Sequence, residues 1–141
     1  MMIRILICCG GGFSSSYVAE RMKREVRERH LEDEVMLDFF PFVLVDEKKD
    51  NFDVVFCCPH LKMAVTQYLS KKDPGLPLYL IPPRMYGRME LDEIIQDAKD
   101  IVDLYKRTHM NPVHFPGEEN LLRIRRYQAY RHVVGDPYGN H

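Results

Sequence analysis

The stretch Ile3-Arg4-Ile5-Leu6-Ile7-Cys8-Cys9-Gly10-Gly11-Gly12-Phe13-Ser14-Ser15-Ser16 decides how the rest of the chain is read. Residues 3–8 are an apolar run broken only by Arg4 and bounded by glycines. That is the pattern of a buried parallel strand rather than of a helix. Past the glycines, Val18, Met22 and Val26 recur every four positions among charged residues, so 14–30 reads as a helix with one buried stripe. Ser14 or Ser15 can cap its start.

The alternation continues downstream. Residues 35–40 read as a second strand ended by Pro41, and 53–58 as a third ended by Pro59, with a short helix expected over 42–50. Leu61, Ala64, Val65 and Tyr68 predict a helix over 60–71, and 78–81 a fourth strand. Leu91, Ile94, Ile95, Ala98, Ile101, Val102 and Tyr105 fall on one face of a helix over 90–107. The expected fold is α/β, a three-layer sandwich in which a four-stranded parallel sheet is flanked by helices through right-handed crossovers. Ligands in such a fold sit at the carboxyl ends of the strands. The loops 10–13, 59–60 and 82–88 all come directly after strands, so function is sought where they converge.

Composition limits the remaining classes. A chain of 141 residues, 45% hydrophobic and 29% charged, suits one compact domain. With 20 basic and 21 acidic side chains the net charge is −1, which gives no general field for nucleic acid or an anionic membrane. No apolar run approaches the ~20 residues of a membrane span, and residues 1–9 are too short for a signal peptide. A cytoplasmic location is expected. The cysteines form two adjacent pairs, Cys8-Cys9 and Cys57-Cys58, whose neighbours point to opposite faces of a strand, so free thiols are expected. Cys8, Cys57 and Cys58 read as core, and a four-cysteine zinc site lacks the Cys-x-x-Cys spacing it would need. No metal and no cofactor is expected.

Cys9 is set apart by the residues on its carboxyl side. A strand ending in cysteine and running through Gly10, Gly11 and Gly12 into a helix start at Phe13, Ser14, Ser15 and Ser16 offers successive backbone N–H groups to an anion. The same amides and the helix dipole favour thiolate, the nucleophilic form. The expected chemistry is a phosphoryl group held on Cys9. A low-molecular-weight cysteine phosphatase shares this topology and loop position, but it needs an arginine six residues after its nucleophile, where this chain has Ser15. Asp92 and Asp97 are the available general acids for a hydrolase. Without that arginine, storage of the group fits better than its hydrolysis. A non-catalytic module that binds a phosphorylated ligand stands as a third reading.

The residues resemble the IIB phosphocarrier subunits of bacterial phosphotransferase systems, lactose and cellobiose (diacetylchitobiose) type. The family's Cys-x-x-Gly-x-Ser-Thr-Ser is matched by Cys9, Gly12, Ser14 and Ser16, with Ser15 where threonine is usual. Phe40-Pro41, Asp53-Val54-Val55 leading to Pro59, and Tyr86-Gly87 line up in the same order, so the resemblance covers 3–108. It implies a relay in which a phosphohistidine on a IIA partner loads Cys9, and Cys9 passes the group to a sugar bound by the membrane-embedded IIC partner. It also implies that the amides of 10–16 hold the phosphate and that the membrane is met only through IIC. The chain departs from the family in Gly10 and Gly11, which replace small residues, and in 109–141, which has no counterpart in the minimal domain.

Several neighbours have two readings each. His60 either caps a helix at the surface or bonds the phosphate. Phe13 either docks a partner or folds back onto the first helix. Tyr86, Gly87 and Arg88 are either a simple turn or, with Arg84, a basic lip beside the site. In the extension, Leu121, Leu122, Ile124, Tyr127 and Tyr130 alternate with Arg123, Arg125, Arg126 and Arg131. That pattern gives either a basic amphipathic helix for a membrane or IIC, or a segment packed on its own domain.

Overall fold

The computed structural model describes residues 2–9 and 13–137, and for 13–16 the backbone alone. Four parallel strands, β1 (Ile3–Cys9), β2 (Val35–Pro41), β3 (Val54–Cys57) and β4 (Leu78–Leu80), form one sheet in the order β2-β1-β3-β4. The chain leaves β1 for one side of the sheet and returns to the other, so the order reverses at β1, the position where open α/β sheets place ligands. Helices α1 (Phe13–Glu28), α2 (Val45–Lys48), α3 (Lys62–Leu69), α4 (Pro83–Arg88), α5 (Leu91–Thr108) and α6 (Tyr130–Val133) cover its faces. This is the α/β sandwich expected from the apolar runs.

The period of two along each strand sorts the core into two layers. Ile3, Ile5 and Ile7 of β1, Val54 and Phe56 of β3 and Tyr79 of β4 join the cluster under α1 and α5. Leu6 and Cys8, Val55 and Cys57, and Leu78 join the cluster that includes Val45 of α2 and Val65 of α3. Arg4, the one charge inside β1, is used at the strand edge: its backbone N–H and its guanidinium both donate to Asp53, at 2.8 and 3.0 Å.

Two differences from expectation have a direct physical reason. The first helix stops at Glu28 rather than 30, because His30 takes a left-handed φ of 56° and Leu31 N–H closes back onto Val26 O at 2.9 Å. Residues 82–88, expected as a loop, contain α4, which begins at Pro83 and ends where Met89 turns left-handed at φ 47°. Proline at the first helical position lacks only an N–H that the first turn would leave unbonded, so Pro82-Pro83 starts a helix here.

The C-terminal segment is not one amphipathic helix. Among its described residues it contains the 3-10 turn Leu121–Arg123 and the one-turn α6. Neighbouring residues alternate in environment, with Leu121 and Tyr130 buried and Leu122 77% exposed. The segment lies along β4 through a parallel bridge between Tyr79 and Val113, with Val113 N–H on Leu78 O at 2.9 Å. It then covers α5. Glu93, Asp97 and Asp100, spaced on one stripe of that helix, receive it residue by residue. Glu93 accepts from Ala129 N–H and meets His132 Nδ1, both at 2.8 Å. Asp97 accepts from Tyr130 N–H and from Arg126, both at 2.9 Å, and Asp100 pairs with Arg131 at 2.9 Å. Phe115 fills the space between, stacked on Tyr130 with centroids 4.6 Å apart.

Candidate active site

Cys9 ends β1 in register with Pro41 and is 9% exposed. Alternation along β1 sends Cys8 into the α2–α3 layer, so Cys9 belongs to the opposite face, with Ile7. On that face a pocket of about 220 Å³ is lined by Cys9, Tyr86 and Gly87 together with Ile7, Val18, Phe39 and Met89. The sheet gives the thiol its rigid seat, and α1 and α4 wall it in.

Tyr86 makes the specific contact. Its phenol hydrogen-bonds the Cys9 side chain, and burial, together with the nearby Cys9 and Cys58 sulfurs, pushes its pKa up to about 12. A phenol so held remains O–H through the neutral range and donates to sulfur. Its carrier α4 is anchored from below by Met85, which is fully buried. From the side, Arg21 of α1 donates to the carbonyls of Arg88 and Met89 at 3.1 and 2.7 Å. These are the last carbonyls of a short helix, the groups that lack partners within it. The helix after the glycine loop is thereby tied to the helix that carries the tyrosine.

His60 stands beside this pair, its ring edge-on to that of Tyr86 with centroids 6.2 Å apart. Pro59 opens the 3-10 turn Pro59–Leu61 that carries it after β3. Cys9 at the end of β1, Pro59-His60 after β3 and Tyr86-Gly87 after β4 therefore lie together, whereas the expected part of the loop after β1 lies outside the described residues. Gly10, Gly11 and Gly12, and the side chains of Phe13, Ser14, Ser15 and Ser16, lie outside the described residues; the backbone of α1 starts at Phe13. Of the expected basic lip, Arg84 is exposed, and Arg88 pairs with Glu90 at 3.2 Å and stacks over Tyr127.

The other thiols are packed as core. Cys8, Cys57 and Cys58 are buried and free, and Cys58 N–H donates to Cys8 O at 3.1 Å. Burial pushes Cys8 up to about 12 and Cys57 well above its ordinary value, so both stay protonated. Among the described residues no group of three or more His, Cys, Asp or Glu is arranged to hold a metal ion. The acids considered for a hydrolase are committed elsewhere: Asp92 pairs with Arg29 at 3.0 Å, and Asp97 is buried on Arg126. Neither lines the pocket at Cys9.

Arg21, Val18, Phe39 and Met89 border the site; Val18 was read from the sequence only as part of a buried helix stripe, and none of the four as a site residue. The signal for α4 was present in Pro82-Pro83 and then Met85, a helix start with an apolar residue one turn in. Arg21 had no such mark, because it sits among the charged residues of the exposed face of α1.

Residues 4–97 match the family model described as "PTS system, Lactose/Cellobiose specific IIB subunit". Among solved structures, the chain is similar to the cellobiose-specific phosphotransferase IIB component of Borrelia burgdorferi, with 22% identity, a TM-score of 0.58, and 74% of this chain and 94% of that one covered. It also aligns with the lactose-specific IIB component domain of Streptococcus pneumoniae at 11% identity and a TM-score of 0.44, over 78% of this chain and 100% of that one. No helix among the described residues is long and apolar enough to cross a membrane.

Proposed function

The chain belongs to the lactose/cellobiose-specific IIB subunits of the sugar phosphotransferase system, and from that premise we propose that Cys9 is the residue that carries the phosphoryl group. The observation that carries the reading is the placement of Cys9 at the carboxyl end of the central strand, in a pocket with the Tyr86 phenol hydrogen-bonded to its side chain.

The thiolate Sγ of Cys9 attacks the phosphorus of a phosphohistidine on a IIA partner. The S–P bond forms as the N–P bond breaks, and the leaving imidazole takes up a proton. In the second step a sugar hydroxyl held by a IIC membrane partner attacks phosphorus, the S–P bond breaks, the hydroxyl proton is released, and Cys9 returns as thiolate. Tyr86 O–H serves both steps, because a donor at sulfur favours the charged form that attacks and later leaves. The amides of 10–16 would hold the phosphate oxygens.

Storage rather than hydrolysis is favoured by the groups that border the thiol. Ile7, Val18, Phe39 and Met89 form an apolar wall, and among the described residues no carboxylate lines the pocket to activate water. Incubation with phosphoenolpyruvate, the general phosphotransferase proteins and a matching IIA should add one phosphoryl group on Cys9, mapped by mass spectrometry and absent in Cys9→Ser. Phosphate on any other residue, or none, overturns the proposal. Turnover of an aryl phosphate lost in Cys9→Ser would favour a hydrolase instead.

A further inference from the structure

The family match ends at residue 97, yet the chain beyond it reaches back to the helix that carries Tyr86. Arg126 Nη1 lies 3.9 Å from Met85 Sδ, and the next residue, Tyr127, places its ring under the Arg88 guanidinium at 4.1 Å. Met85 and Arg88 are one turn apart and so share a face of α4. Tyr86 projects about 100° around the helix from Met85. The segment thus grips α4 on one face while another face presents the phenol to Cys9.

The grip is itself anchored. Arg126 also donates to Asp97, Glu118, the Gln128 carbonyl and the Tyr79 hydroxyl, with contacts of 2.8 to 2.9 Å. Its position is therefore fixed by α5 and β4 together. A helix as short as α4 is unstable without outside contacts. The Arg126 and Tyr127 contacts add to those that Arg21, Glu90 and His60 make with its carboxyl half.

We infer that residues 113–137 form a strap that holds α4, and with it the Tyr86 phenol, against Cys9, with Arg126 and Tyr127 as its positioning residues. The strap is an addition to the matched domain that acts on the reacting thiol through Tyr86 without touching it. The inference rests on Cys9 being the reacting thiol. It does not require that a phosphoryl group is ever transferred, so the two readings fail separately.

The test measures the apparent pKa of Cys9 from the pH dependence of its alkylation by iodoacetamide in the full-length chain, with the adduct assigned to Cys9 by fragment-ion mass spectrometry. Cys8, Cys57, Cys58 and Tyr86 are titratable neighbours, with His60 against the Tyr86 ring. Only Tyr86 is changed among them. Tyr86→Phe removes the donor and should raise the Cys9 value by about one pH unit. Tyr127→Ala, at a half-exposed site that leaves the core intact, should raise it by about half a unit, the size of a surface cation–π contact. Tyr127→Phe keeps the ring and should restore the original value. In the Tyr86→Phe background, Tyr127→Ala should add nothing. A Cys9 value unmoved by Tyr127→Ala, or a shift that adds fully to that of Tyr86→Phe, overturns the strap. An unmoved value in Tyr86→Phe removes the contact it is said to hold.

Discussion

Arg126 and Asp97 meet at 2.9 Å with side chains 4% and 0% exposed, joining the C-terminal segment to the middle of α5 at a point closed to water. A buried pair of this kind adds little over a well-packed apolar pair, but removing one member strands the other. Arg126→Ala should therefore cost about 3–5 kcal/mol in denaturant unfolding. The double variant Arg126→Met, Asp97→Leu should cost less than the sum of its single changes. Simple additivity would mean that the two charges do not act as a pair.

The same pair gives stability a pH signature. Burial pushes the Asp97 carboxyl up to about 6 from 3.8, although the Arg126 charge and the Tyr130 N–H pull the other way. Arg126, held up by Glu118, Tyr79 and Asp97, stays charged throughout. Between these pH values the native chain keeps a proton that the unfolded chain has released. This contribution is fully present below about pH 4 and is lost as pH rises through about 6. The unfolding free energy of the wild type, taken relative to Asp97→Asn, should fall across that window. Asp46 and Asp53, whose pKa values are lowered by their Lys72 and Arg4 partners, contribute in the opposite sense, but below it. A difference that stays level or rises with pH contradicts the assignment.

Phe115 tests whether the segment after α5 is part of the core or merely lies on it. The ring is fully buried, stacked on Tyr130 and 5.8 Å from Tyr79, with Arg126 over its face. Truncating such a ring typically costs about 3–5 kcal/mol. Phe115→Ala should lose that amount in one cooperative transition seen alike by far-UV circular dichroism and by urea unfolding. An early transition confined to the C-terminal segment would show that it folds as a separate unit.

The sheet was legible because each strand is a short apolar run ended by glycine or proline, and because period-two alternation decides which side chains share a layer. Cys9 was legible for the same reason, as the last residue of such a run before glycine. The strap was not. Packing of the Arg-rich stretch on its own domain was one of two readings, but nothing marked Arg126 as its anchor, because the acceptors Asp97 and Tyr79 lie 29 and 47 positions earlier. The acidic stripe Glu93, Asp97 and Asp100 on α5 was visible at helical spacing, but an acidic stripe ordinarily faces water. Only tertiary contact shows that it is covered. α4 was missed because two prolines suggest a break, whereas Pro83 at the first helical position initiates the turn.

Cys9 should separate from Cys8 and Cys57 by reactivity, because alkylation requires thiolate and access. Cys8, held at about 12, and Cys57, pushed by burial well above its ordinary value, are protonated at about pH 8 and closed to solvent, whereas Cys9 borders a pocket. Native protein treated with iodoacetamide at that pH should carry its adduct on Cys9, with Cys8 and Cys57 modified only after unfolding. The shifts also carry a stability consequence: the native state keeps thiol protons that the unfolded chain gives up near pH 9. Stability should therefore be intact below about pH 9 and fall as pH rises toward 12, and Cys8→Ala should flatten that alkaline fall. Labelling of Cys8 in native protein at the same rate as Cys9, or an alkaline limb unchanged in Cys8→Ala, would show that the two neighbours do not occupy the distinct environments that opposite faces of β1 give them.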